Sequence, residues 1–217
     1  MRETSKRILT AIGLLLLLFV MFFFKIAYLF ILLLIVVVSF LEFSKMILKI
    51  FEKNKISQFF CNILFLVYLS FFFIIALLGI NDIHLRIILF MVTLICVASD
   101  IGGFVVGKIV KGPKLIKISP KKTISGSLGS FIFSVAVSYF LFTYTFEISL
   151  FFKIAIGILI SLIVQIGDLI FSYIKRKSGF KDTGKIFPGH GGLLDRIDGI
   201  LLGIPFGLII MIVALTK

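Results

Sequence analysis

Long apolar runs separated by short basic connectors set the pattern of this chain. Runs of about 16 to 23 apolar residues recur, the length a helix needs to cross the hydrocarbon core of a bilayer. They fall near 8–24, 26–41, 59–79, 85–107, 126–146, 150–171 and 197–215. Only Lys25 separates the first two, so a very tight turn is expected there. The pattern predicts an all-α, polytopic integral membrane protein of about seven transmembrane helices. Arg2, Lys6 and Arg7 precede the first run, as in a signal peptide. That run is too long, and no small-x-small cleavage site follows, so it reads as a retained helix.

Composition agrees. The chain of 217 residues is 60% hydrophobic and 15% charged, which excludes an ordinary water-soluble globule. Its net charge of +13 could suggest nucleic acid, but the cations lie in short connectors and form no soluble basic domain. Of the 23 Lys and Arg, all but Lys25, Arg86, Lys153 and Lys217 fall on one side of a seven-span topology. The positive-inside rule makes that side cytoplasmic, with the N-terminus inside and the C-terminus outside. The expectation is a multi-pass protein of the cell inner membrane or plasma membrane, in contact with inner-leaflet phospholipids and with no nucleic-acid partner. Cys61 and Cys96 lie inside apolar runs and read as small hydrophobes. His84 has no companion ligand.

Residues 1–80 are generic and read as an anchoring region, whereas 81–217 carry the chemistry. Asp100 interrupts an apolar run just before Gly102 and Gly103, with Gly107 following at small-residue spacing. An intramembrane carboxylate is costly and by default functional; helix packing through the glycines is the alternative. Next, Ser119-Pro120-Lys121-Lys122-Thr123 leads into Gly126 and Gly129, so free amides at a helix start could receive an anion. Asp168, Ser172 and Lys175 are spaced i, i+4 and i+7 and share one helical face. Residues 172–198 then gather six cations, three carboxylates and His190 among several glycines. Within them Asp195 and Asp198 stand i, i+3 at the mouth of the last apolar run. Such carboxylates can bridge a divalent cation, and all-oxygen ligands favour Mg²⁺. They could instead be stabilising charges at a helix N-terminus. The grouping points to phosphate chemistry at a membrane surface.

From Ser172 to Asp198 the chain resembles the signature of the phosphatidate cytidylyltransferase, or CDP-diacylglycerol synthase, family. Ser172, Lys175, Arg176, Lys181, Asp182, Gly184, Pro188, His190, Gly191, Gly192, Asp195, Arg196 and Asp198 fill its fixed positions without a gap. The resemblance continues upstream through Gln165, Gly167 and Asp168, through Pro120 to Thr123 with Gly126 and Gly129, and to Asp100 with Gly107. Ile124 and Ser125, and Gly103 and Phe104, depart from the family pattern, and the N-terminal half is shorter than usual.

The resemblance implies that CTP and phosphatidic acid give CDP-diacylglycerol and pyrophosphate, with Mg²⁺ and room for a second cation. The active site would lie at the cytoplasmic ends of the C-terminal helices. Asp168, Asp195 and Asp198 would hold metal, with Lys175 beside them as a catalytic group. Ser172, Arg176, Lys181, Asp182, Gly191, Gly192 and Arg196 would bind substrate, and His190 would donate to a phosphate or orient its loop. Lys121, Lys122 and Thr123 would form a second anion site, apart from the first, with Asp100 in a further functional role. A homodimer is a candidate assembly. Rival readings are a CTP-dependent polyprenol kinase, an archaeal-type lipid cytidylyltransferase, or a transporter using Asp100 and Asp168 as ion sites. A transporter should show broken helices in both halves, whereas here the informative residues lie in the second half.

Overall fold

The computed structural model describes residues 13, 16–116, 122–184, 186 and 191–215. Among them six helices are long and apolar enough to cross a membrane. They are α1 (Lys25–Ile50), α2 (Lys55–Asn81), α3 (Ile83–Val110), α4 (Ile124–Thr145), α5 (Leu150–Lys177) and α6 (Leu194–Leu215). Residues 16–23 are helical as well, and a single extended residue, Phe24, separates them from α1. The rest of the expected first span lies outside the described residues. No strand forms among the described residues; one isolated bridge joins Lys114 to Thr123.

Several helices outrun their apolar segments. α1 continues to Ile50 and carries Lys45 and Lys49, and α5 continues through Lys175, Arg176 and Lys177. Hydropathy marks the bilayer's thickness, whereas the backbone ladder continues into water until a cap stops it. Local chemistry sets several of these limits. Asn54 caps α2 by accepting the Ser57 amide at 3.0 Å. Gly179, at φ +72°, closes α5: its amide reaches Arg176 O at 3.1 Å and the Phe180 amide reaches Lys175 O at 3.0 Å.

The described chain forms two compact units, Met1–Arg86 with Ile174–Ile197, and Ile87–Tyr173 with Asp198–Lys217. In the first, α1 and α2 pair through stacked Phe43 and Phe65, 3.9 Å between centroids. Tyr28 also donates to the Ala76 carbonyl at 2.7 Å. Phe59, Phe60, Leu64 and Val67 stay exposed on α2, as lipid-facing side chains should. The buried Arg86 donates to the end of α2, reaching Gly79 O at 2.7 Å.

The second unit is held by small residues. A Cβ on Gly129 would lie 2.5 Å from Val106 Cβ and 2.6 Å from Gly102 O. A Cβ on Gly157 would meet Val135 backbone at 2.7 Å, and one on Gly203 would meet Cys96 Sγ at 2.5 Å. Lipid tails are as apolar as leucine, so membrane helices gain by close packing rather than by water exclusion. Ser130, Ser134 and Ser138 line the buried face of α4. Ser134 and Ser138 satisfy their hydroxyls on the carbonyls of Ser130 and Lys153. Cys61 and Cys96 are free thiols, as expected.

Candidate functional site

In the second unit, the turn after α3 folds back on itself. The Leu115 amide bonds Lys122 O at 2.8 Å and the Ile124 amide bonds Pro113 O at 3.1 Å. This fixes Thr123, whose hydroxyl caps α4 by accepting the Gly126 amide at 3.1 Å. It also delivers Lys122 to Asp168, and the two form a close ion pair. Ser172, one turn further along α5, donates to the other oxygen of Asp168 at 3.3 Å. A Cβ on Gly167 would lie 2.9 Å from Asp198 O, so the backbones of α5 and α6 nearly touch beside these carboxylates. Asp198 is buried and accepts the Gly199 amide at 2.9 Å. Below Asp168 a polar chain links three helices. Ser127 donates to Gln165 at 2.5 Å, Gln165 to Ser161 at 3.2 Å, and Ser161 meets Ser99 at 2.9 Å.

In the first unit, Asp195 is the hub. Its Oδ1 holds the Lys175 ammonium at 2.8 Å, with side chains 7% and 12% exposed. Its Oδ2 accepts the Thr183 amide at 2.7 Å, the Thr183 hydroxyl at 3.0 Å and the Gly192 amide at 3.0 Å. Gly191, at φ +85°, turns the chain into this arrangement, and a Cβ there would lie 2.6 Å from Asp195 Oδ2. A second carboxylate closes the loop from beneath. Glu42 of α1, 3% exposed, accepts the Thr183 hydroxyl at 2.7 Å and the amides of Leu193 at 3.1 Å and Leu194 at 2.8 Å.

The sequence profile of the cytidylyltransferase family matches residues 2–214. The chain belongs to the cytidylyltransferase family. Similar proteins include the phosphatidate cytidylyltransferase of Helicobacter pylori, 37% identical over 128 residues, which are 59% of this chain and 48% of that protein. The phosphatidate cytidylyltransferase of Mycobacterium tuberculosis is 39% identical over 113 residues, 52% of this chain and 34% of that protein. That of Staphylococcus saprophyticus is 39% identical over 116 residues, 52% and 45% of the two chains. The chain thus spans half or less of the length of these relatives.

In this cytidylyltransferase-family member, several expected positions have close protein partners. Gly126 and Gly129, at the start of α4, let that helix approach Gly102, Gly103 and Gly107 of α3. Lys122 was expected in an anion site apart from Asp168, yet it is paired with that carboxylate. The amide of Gly192, a residue expected to bind substrate, donates to Asp195. Asp100 lies on an exposed face of α3. Arg176, Lys181, Asp182 and Arg196 are exposed around the loop, and Arg176 reaches Phe180 O at 3.5 Å. Lys121 and His190 lie outside the described residues. Among the described residues, no three His, Cys, Asp or Glu side chains cluster to hold a metal.

Glu42 is the residue that sequence reasoning missed. It is the one acidic side chain between Lys25 and Ile50, just past the second apolar run and inside the region assigned to anchoring. A carboxylate in a transmembrane helix was the available signal. Neighbouring polar residues give no hint of its partners, because Thr183 is 141 positions away.

Proposed function

We propose that this protein transfers a cytidylyl group from CTP to phosphatidic acid, releasing pyrophosphate and leaving CDP-diacylglycerol in a bacterial-type inner membrane. The reading is supported by two lysine–carboxylate pairs in a cytidylyltransferase-family chain, Lys122 with Asp168 in one unit and Lys175 with Asp195 in the other. A phosphate oxygen of the lipid attacks the α-phosphorus of CTP, and the bond to the β-phosphate oxygen breaks. No covalent enzyme intermediate is needed, so the protein's task is to position two polyanions and offset the charge that builds on pyrophosphate. Lys175, Arg176 and Lys181 contact the nucleotide phosphates; Lys121, Lys122 and Thr123 receive the lipid phosphate. Ser172 orients Asp168, while Asp182, Gly191, Gly192, His190 and Arg196 shape the loop over the substrates.

Mg²⁺ fits the donor set in one form. Mg²⁺ is usually held by one or two carboxylates together with substrate phosphates, not by an all-protein cage. Asp168 and the buried Asp198, on adjoining stretches of α5 and α6, suit that role. Asp168 and Asp195 each have protein donors on both oxygens, so either would take the cation only by releasing one. Bound there, the cation would neutralise phosphate charge.

The test uses the full chain in mixed micelles with CTP labelled at the α-phosphate and phosphatidic acid as acceptor. Labelled CDP-diacylglycerol and stoichiometric pyrophosphate are expected. Transfer only to a polyprenol, or release of CDP, would replace this reading.

A further inference from the structure

Glu42 lies outside the polar signature, yet it bonds that loop at three residues. Its two carboxylate oxygens meet Thr183, Leu193 and Leu194. The Leu193 and Leu194 amides sit at the start of α6, where backbone donors have no partner within the helix. A carboxylate there satisfies them and complements the positive end of the helix dipole. Thr183 makes the second link, since its hydroxyl donates to Glu42 and its backbone amide donates to Asp195, each at 2.7 Å. Lys175 is next, on the far oxygen of Asp195. The approach is also sterically demanding. A Cβ on either Gly184 or Gly192 would collide with Glu42 Oε1, so these two glycines make room for this carboxylate.

We propose that Glu42 is a positioning residue for the active-site loop. Through Thr183 it fixes the carboxylate of Asp195, and through the two leucine amides it fixes the first turn of α6. The N-terminal region therefore takes part in the reaction by holding the loop, and is more than an anchor. Simple stabilisation of the fold would instead treat Glu42 as one buried polar group among several. The two differ in what changes when the charge is removed.

In Glu42→Gln one carboxylate oxygen becomes an amide donor that faces other donors, with almost no change of volume. Hydrogen–deuterium exchange on the full chain in micelles, without substrates, is the first measurement. Amides of 183 and 192–195 should exchange at least about tenfold faster, as expected when a charged hydrogen bond is lost, while α2 and α4 keep wild-type protection. The second measurement, which rests on the proposed activity, is steady-state cytidylyl transfer. The rate at saturating CTP and phosphatidic acid should fall about ten- to a hundredfold, with smaller changes in either KM. Thr183→Val should reproduce both effects, and Thr183→Ser, which keeps the hydroxyl, should lose less. Combining Glu42→Gln with Thr183→Val should cost less than the sum, because the two act through one bond. Unchanged loop exchange, exchange raised equally in every helix, or additive losses would overturn the positioning role. Loop-confined exchange in a chain whose wild type transfers no cytidylyl group would leave the role standing and remove the proposed activity instead.

Discussion

At the scale of single residues, the ion pair of Lys175 and Asp195 carries a sharp prediction. Both side chains are largely shielded, so neutralising one leaves the other charge without its partner. Breaking one side of such a pair costs about 3–5 kcal/mol. Asp195→Asn should therefore lower the thermal midpoint of the micellar protein and lose most turnover. Lys175→Met together with Asp195→Asn should recover part of the lost midpoint, because the unpaired ammonium is gone. A double variant as unstable as the sum of the single ones would show that the pairing is not what holds the loop. The metal proposal is tested one turn further along α6. Asp198→Asn should raise the Mg²⁺ concentration needed for half-maximal rate; an unchanged Mg²⁺ titration would remove Asp198 from the ligand set.

At the scale of helices, small residues decide whether the second unit closes. Gly129→Ala places a methyl 2.5 Å from Val106 Cβ and 2.6 Å from the Gly102 carbonyl, and backbone cannot yield as a side-chain tip can. Overpacking of this kind costs about 1–3 kcal/mol. The expected result is a lower thermal midpoint, while Gly13→Ala, which meets nothing within 4 Å, serves as the control. Equal midpoints for the two variants would mean that α3 and α4 are not held at this contact. The same glycines mark a limit on reading the sequence. Their spacing announced a special backbone, and both close helix contact and an anion site fit that spacing. The structure shows close contact at Gly126 and Gly129, where the facing element, α3, supplies its own glycines. By contrast, the bond of Ser172 to Asp168 follows from i, i+4 spacing alone and was legible. The apolar runs gave the helices for a similar reason, since bilayer thickness fixes their minimum length. Lys122 with Asp168 and Glu42 with Thr183 were not legible, because tertiary packing, not periodicity, brings them together.

At the scale of the whole molecule, the proposed reaction depends on which side of the membrane receives the nucleotide. CTP is a water-soluble polyanion, so its phosphate contacts must face the compartment that holds nucleotides. The six apolar helices fit a multi-pass membrane protein, and the positive-inside rule supplies the orientation to be tested. Lys45, Lys49, Lys53 and Lys55 border the turn between α1 and α2, while Lys175, Arg176 and Lys177 form the last turn of α5 and Lys181 follows it. Lys153, near the start of α5, lies at the opposite end of that helix and bonds Thr143 at 3.2 Å. We therefore expect Lys55 and Lys181 on the cytoplasmic face and Lys153 on the outer face. In a background of Cys61→Ala and Cys96→Ala, single cysteines at these three positions can be probed with an impermeant maleimide. Lys153→Cys should label in intact cells, whereas Lys55→Cys and Lys181→Cys should label only in inverted vesicles. Labelling of Lys181→Cys from outside would invert the molecule, putting the signature loop out of reach of cytoplasmic CTP and taking the proposed reaction with it.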